Sequence, residues 1–426
     1  MKNSFVIKMS YKDKKYVFFF FVILMLTLLG GTVNNNFLKF VVVTLGLIAI
    51  IVKAKISYFS FFSGILWFSF LQQYFASISP LLSTGRLRWD TSVPVYYEEL
   101  YICTMFFYII EIFLFNITNV LNNEKEIYKS KIKLGKNIVY IFSVVAFVLV
   151  LLAYPSIPLL DATLSRDEGY FSSSMIVPVS MVLLGLTVDY VKKYKTVMAL
   201  WIVTLIWILF HGDRVIVFGL GIYVILKYLN DGEHNYNKLR SYIFNKKIII
   251  VFIGACILII LGIRIQTTRV GGIYDFNLSV LFNDILKQGT ASDVVHAFNC
   301  ATDLWKNGNA LNGYTYLQYL VNWIPFIEDK YSPSMILMDR YDTLGGGLFF
   351  SEPIMNHGLI GVFVYSILFL LILTWLFSKQ TSYRTFLVVP FVILIFRFAW
   401  YASIAGIITM IEIIIPIAYI VAKRFR

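Results

Sequence analysis

Apolar residues in this chain come in long blocks and do not alternate with polar ones. Apolar runs of about 16 to 25 residues recur along the whole sequence, each long enough to cross a hydrocarbon core of roughly 30 Å. Inside lipid no water is present to take up backbone hydrogen bonds, so each crossing run must be helical. Twelve are read, near Tyr16 to Gly30, Phe37 to Val52, Tyr58 to Ser77, Tyr97 to Val120, Ile138 to Tyr154, Met175 to Tyr190, Val197 to Phe210, Val215 to Leu229, Ile248 to Ile263, Pro353 to Phe377, Phe386 to Ser403 and Ile404 to Val421. The first stands behind KDKK (Lys12 to Lys15) without a small-residue cleavage site, which predicts a retained helix.

The polar stretches between these runs are unequal. GGTVNNN (30 to 36) is a short turn, 78 to 99 and 155 to 173 are moderate, and the largest runs from Arg264 to Glu352, some 89 residues. The expectation is an all-α polytopic membrane protein: helices one to nine in residues 1–263, a large, partly helical extracytoplasmic loop in 264–352 that forms a compact subdomain, and helices ten to twelve in 353–426. Within the loop, ASDVVHAFNCATDLWKNG (291 to 308) places Val294, Val295, Phe298, Ala301, Leu304 and Trp305 on one helical face. Asp293, His296, Asn299, Asp303 and Lys306 take the other, which predicts an amphipathic helix. YTYLQYLVNWIPF (314 to 326) brings Tyr319, Trp323 and Phe326 to one face, as in a helix whose rings sit at headgroup level or stack on sugar rings.

Composition agrees: 59% of residues are hydrophobic and 14% charged, and the mean hydropathy is +0.75, which excludes a soluble enzyme. Basic residues are retained on the cytoplasmic side, and with the N-terminus inside, the cytoplasmic segments hold 25 of the 37 Lys and Arg. Both termini are therefore expected in the cytoplasm. The net charge of +13 is mostly this orientation signal and leaves nothing for nucleic acid to explain. Three cysteines, two in expected spans and Cys300 alone in an outer loop, form no C-x-x-C pattern. The sequence has no P-loop, H-E-x-x-H, G-x-S-x-G or D-x-D pattern, so no metal or cofactor is expected.

Chemistry concentrates where polar residues meet span ends. GGGLFFSEPIMNHGLIGVF opens the tenth run. Ser351 or Glu352 can cap the helix and Pro353 suits its first turn, but capping does not account for Asn356 and His357 one turn deeper. Gly358 and Gly361 would admit a close neighbour, a helix or a lipid-linked substrate. Gly271-Gly272 and Gly345 to Gly347 bracket the large loop as hinges or anion-approaching turns. HGDR (211 to 214) puts Arg214 at the outer surface, where a guanidinium fork suits pyrophosphate. Arg86, Arg88, Arg166, Arg264 and Arg269 are further outer arginines that the inside rule does not explain, and an anionic ligand accounts for them. Glu352 stands out among the outer acids as a proton-transfer candidate. Glu111, Arg397 and Glu412 lie within spans and are expected to pair between helices.

A dozen spans, Gly212 and Arg214 opening a helix after a short outer turn, and a late outer loop leading into SEPIMNHGLIGVFVYSILF resemble the Wzy-type O-antigen and capsule repeat-unit polymerases. The NHG stretch is also similar to the histidine motif of the related O-antigen ligases. The resemblance implies a metal-independent glycosyltransferase without cofactor that transfers a growing chain from undecaprenyl pyrophosphate to an incoming lipid-linked repeat unit. A flippase and a chain-length regulator would be its partners beside the bilayer. It further implies Arg214 with Arg264 or Arg269 on the pyrophosphate, Glu352 or His357 activating or orienting the acceptor hydroxyl, and Arg86, Arg88, Arg166 and Asn356 on the glycan or its phosphates. The competing class is a transporter of lipid-linked oligosaccharides, against which the short VKKYK (191 to 195) linker and the late position of the long loop count.

Overall fold

A computed structural model describes residues 35–155, 176–210, 215–230, 289–321, 333–343 and 346–400, with isolated positions at 25, 27, 31, 32, 410 and 411. Its helices are α1 (Asn36–Ala54), α2 (Tyr58–Ile78), α3 (Arg86–Trp89), α4 (Tyr97–Ile117), α5 (Val120–Lys129), α6 (Lys136–Ala153), α7 (Ile176–Thr187) and α8 (Lys195–Phe210). They continue with α9 (Val215–Asn230), α10 (Gly289–Lys306), α11 (Tyr314–Val321), α12 (Pro333–Tyr341), α13 (Ser351–Leu376), α14 (Ser382–Ile393) and α15 (Ile395–Trp400). No β-strand occurs among the described residues. Among the described residues, four helices, α1, α4, α6 and α13, are long and apolar enough to cross a membrane, and α7, α8, α9 and α14 are shorter apolar helices. The spans expected at 16–30, 248–263 and 404–421 lie largely or wholly outside the described residues.

The chain forms two compact units, one of Met1–Asn123, Asn283–Ser378 and Ala399–Ala405, the other of Glu124–Phe282, Lys379–Phe398 and Gly406–Arg426. In the first unit α1 and α4 run parallel. The Tyr97 hydroxyl donates to the Asn36 carbonyl at 2.8 Å, and at the other end Lys53 Nζ donates to Asn116 Oδ1 at 2.9 Å. Antiparallel α2 lies against both, with Phe40 stacked on Tyr74 at 4.6 Å and Phe59 edge-on to Phe115 at 5.2 Å. The last helix, α13, runs parallel to α4: Phe363 stacks on Phe106 at 4.0 Å, and Phe377 reaches Phe59. Phe62 is the common contact, its ring 5.6 Å from Phe107, 5.1 Å from Phe369 and 5.4 Å from Phe349. Each such ring pair contributes about 0.5–1.5 kcal/mol beyond burial. The opposite face of α13 leaves Val364, Ile367, Leu368, Leu371, Ile372 and Trp375 exposed, an apolar stripe that suits lipid and not water.

Glu111 confirms the expectation of interhelical pairing: it is buried on α4, and Ser63 Oγ of α2 donates to its Oε2 at 2.6 Å. The span read at 386–403 is instead two helices, α14 and α15, parted at Leu394 (φ −86°, ψ 13°). Likewise the run 175–190 is α7 followed by a 3-10 turn at Val188–Tyr190, where Asp189 pairs with the buried Lys227 at 3.0 Å.

In the second unit α6 packs on α7 and α8, while α14 packs on α7 and α9. The end of α14 seats its backbone on Gly219 of α9, since a Cβ added there would lie 1.9 Å from the Ile393 carbonyl oxygen. Gly221, two residues on, has open space around it. Gly219→Ala is expected to destabilise the protein by about 1–3 kcal/mol, the usual cost of overpacking, whereas Gly221→Ala stays within about 0.5 kcal/mol of wild type. Thermal midpoints of the two variants in detergent, measured side by side, check this.

Candidate functional site

The site is built on a break in α13. Ser351 is its first residue, and Phe350 occupies the cap position without a side-chain cap bond, which corrects the expectation that Ser351 or Glu352 caps the helix. Pro353 falls in the first turn as expected. At His357 (φ −138°, ψ 15°) and Gly358 (φ 62°, ψ −150°) the backbone leaves the helical region. Gly358 is required there on two counts: its φ is positive, and a Cβ would meet the Trp305 ring at 2.3 Å. A Cβ on Gly361 would sit 2.5 Å from the Pro353 carbonyl oxygen, so the opening residues fold against the helix that follows. Both glycines admit groups of the protein itself, Gly358 the Trp305 side chain of α10 and Gly361 the first turn of α13.

A break of this kind frees carbonyls that must find donors. Leu311 N–H donates to the Met355 carbonyl at 2.9 Å, and Asn312 N–H to that of Asn356 at 3.1 Å. Asn356, fully buried, completes the tie: its Oδ1 accepts from Gly313 N–H at 2.9 Å, and its Nδ2 donates to Thr315 Oγ1 at 2.7 Å and to the Glu352 carbonyl at 2.9 Å. Thr315 Oγ1 in turn donates to Glu352 Oε1 at 3.1 Å. Glu352 is 1% exposed, and its Oε2 has no hydrogen-bond partner among the described residues. His357 instead is exposed, its ring 6.1 Å from that of Tyr316 and its Nε2 close over Gly313. Burial, reinforced by the nearby Glu352, holds the Tyr316 hydroxyl well above its ordinary titration range.

Beside this tie lies a polar layer on α10. The expected amphipathic helix is present, but the middle of its polar face is covered, His296 and Asn299 being 1% exposed each, while Lys306 at its end stays exposed. The reason is a polar partner on α2: Gln73 Nε2 donates to Asn299 Oδ1 at 2.6 Å and Asn299 Nδ2 donates back to Gln73 Oε1 at 3.2 Å. Asp303 accepts from the Tyr96 hydroxyl at 2.7 Å and the Tyr341 hydroxyl at 3.0 Å. His296 Nε2 lies 3.2 Å from Asp90 Oδ2 and 3.4 Å from Cys300 Sγ. The same ring nitrogen faces acid and thiol, so this is no nucleophilic triad, which needs one nitrogen for each. Burial also pushes the Cys300 thiol up to about 12.

Among the residues expected to carry function, Glu352, Asn356 and His357 converge on the 311–316 segment, although no hydrogen bond joins Glu352 to His357 among the described residues. Arg86 is engaged within the chain. Its guanidinium pairs with Asp342 at 3.0 Å and its backbone N–H donates to Asp293 at 2.8 Å, so it fastens α3 to α10. Arg88 is exposed and lies over the Trp89 ring at 4.8 Å. Arg166, Arg214, Arg264 and Arg269 lie outside the described residues, as do Glu412, Gly271-Gly272, Trp323 and Phe326. Tyr319, expected at headgroup level, is 9% exposed and packed inside. Of the glycine run, Gly347 N–H donates to the Trp400 carbonyl at 3.1 Å and so is closed to an anion. Thr315 and Gln73 were not picked out by the sequence; adjacent glutamines within a span were the readable signal for Gln73.

No protein-family model, curated protein or solved structure matches this chain. Fold and site define an all-helical membrane protein whose first unit carries a dense polar layer at one end of its helices.

Two outcomes follow from this geometry. Gly358→Ala should cost about 1–3 kcal/mol from backbone strain alone, with the Trp305 clash added, and a thermal midpoint in detergent would show it. For His296, burial, aided by the Arg86 charge, holds the imidazole below its ordinary 6.5 against the pull of Asp90. The unfolded chain then binds the proton more readily, so stability falls as pH drops below 6.5. Asp90 is also held low: hydrogen bonds from Ser92 and the His296 and Arg86 charges outweigh burial, its largest and opposing influence, so its share is lost only below 3.8. The thermal midpoint should drop between about pH 7.5 and about pH 5, and His296→Gln should flatten that slope.

Proposed function

We propose that this chain extends a polysaccharide on the outer face of the bacterial cytoplasmic membrane, joining undecaprenyl-pyrophosphate-linked repeat units. The observation that carries the reading is the broken entry of α13, where an exposed His357 stands beside a segment held by buried Asn356 and Glu352. In this reading His357 takes the proton of the acceptor hydroxyl as it attacks the anomeric carbon, and the lipid pyrophosphate leaves with the bonding pair. Glu352, closed off from solvent, orients: it fixes Thr315, and Thr315 and Asn356 fix the segment facing His357. The leaving pyrophosphate requires cationic donors, a role given to Arg214 with Arg264 or Arg269. A substrate already activated by pyrophosphate needs no nucleotide site, in keeping with the missing P-loop pattern.

Topology supports the same reading. Parallel α4 and α13 enter the membrane from one side, so the chain crosses an odd number of times between them. An odd number is in keeping with the four apolar helices α6 to α9 together with one further crossing, the reading in which 264–352 lies outside. A transporter would use a broken helix to offer free carbonyls to an ion, but here those of Met355 and Asn356 are occupied by Leu311 and Asn312.

Surface glycan size, read as a gel ladder, tests the proposal in cells deleted for the gene and restored with wild type, Arg214→Ala, Glu352→Gln or His357→Ala, each checked for protein level. Deletion should leave single repeat units, wild type should restore long chains, and His357→Ala should remove them, as loss of about 10²–10⁴-fold in rate implies. Full-length glycan accumulating on the lipid carrier would make the protein a ligase, and repeat units trapped on the cytoplasmic face would make it a transporter.

A further inference from the structure

We infer that the hollow between α11 and α12 is a subsite for one neutral pyranose ring of the glycan, an inference that rests on the glycan-extending reading and narrows it. The hollow encloses about 210 Å³ and is lined by Leu311, Tyr314, Ile336, Asp339 and Arg340. That is below the roughly 300–1,000 Å³ of a site for a whole drug-sized ligand, and on the scale of a single ring. Tyr314 is 46% exposed, an unusual state for a ring in a segment whose next aromatics, Tyr316 and Tyr319, are mostly covered. Its ring face, with Leu311 and Ile336 lining the hollow beside it, offers apolar surface for the C–H face of a pyranose. Asp339 and Arg340 are exposed, and neither is in an ion pair with another described residue. A carboxylate offers only acceptors and a guanidinium only donors, which together match hydroxyl groups that do both. Opposite charges side by side also cancel, which favours a neutral ring over a uronate or a phosphate.

The hollow is held firmly. Tyr314 N–H donates to the Leu311 carbonyl at 2.9 Å, and Leu311 N–H is fixed to Met355. The far wall, α12, is pinned where Tyr341 meets Asp303 and where Asp342 just beyond it pairs with Arg86. Tyr314 precedes Thr315, the residue that holds Glu352, so a ring in the hollow sits beside the segment that faces His357.

The test is saturation-transfer NMR on the full chain, purified in a detergent without a sugar headgroup, against glucose, galactose, mannose, N-acetylglucosamine and N-acetylgalactosamine. At least one sugar should receive saturation from wild type. Tyr314→Ala should weaken its apparent affinity about tenfold or more, Asp339→Asn and Arg340→Gln should each weaken it about threefold or more, and Trp375→Ala, exposed near the far end of α13, should leave it unchanged. No signal from any sugar with wild type, as expected of a hollow that only seats a lipid chain, would overturn the inference, as would full retention in Tyr314→Ala. Sugar binding that depends on Tyr314 in a protein whose deletion leaves glycan length intact would keep the subsite and remove the polymerase reading; the reverse pattern would do the opposite.

Discussion

The structure of the first unit depends on one constraint: backbone groups freed where α13 breaks must be satisfied where water is scarce. In a continuous helix the carbonyls of Met355 and Asn356 would be met by N–H groups further along the same helix. The turn at His357 and Gly358 removes those donors, and Leu311 and Asn312 replace them. The stretch between α10 and α11 is thereby fixed to the entrance of a candidate membrane span. Asn312 and Gly313 both take positive φ to present successive N–H groups to that entrance. Everything attached to the stretch inherits its position: Thr315 beside Glu352, Tyr316 beside His357, and α11 as a whole.

The second device is the set of polar pairs, buried at Asn299, that hold α10. A helix with one apolar and one polar face ordinarily leaves the polar one to water. Here Asn299 meets Gln73 in a reciprocal amide pair, Asp303 receives two tyrosine hydroxyls, and Lys306 pairs with Glu99. Such groups carry a desolvation cost when unpartnered, so the pairs define a register in which α10 can lie, and Trp305 then drops into the space that Gly358 leaves open.

The helices were legible because long apolar blocks constrain the backbone to one solution; α1, α4, α6 and α13 lie within a few residues of the runs that predict them. What escaped was the break inside α13, because apolarity through 353–377 is continuous and a single His-Gly pair carries no periodic signal. The buried polar face of α10 escaped for a related reason: its partner Gln73 is over 200 residues away, and no local pattern announces such a pairing. Asn356 and His357 were visible as polar residues at a span entrance, yet their division into one buried tie and one exposed ring is a property of the break. Arg86 shows the limit from the other side. A basic residue at an outer surface suits an anion, and here the anion is Asp342 of the same chain.

That last point sorts the polar residues of this unit. Asp90, Glu98, Glu99, Asp293, Asp303 and Arg86 are each engaged by a neighbour within the protein, and a group so engaged must give up a contact before it can meet a ligand. His357, Asp339 and Arg340 have no such engagement among the described residues, are exposed, and all lie around the 311–316 segment. A ligand meeting these three groups displaces no ion pair of the described residues. The buried pairs keep the helices in register, and the same register fixes the 311–316 segment against the entrance of α13.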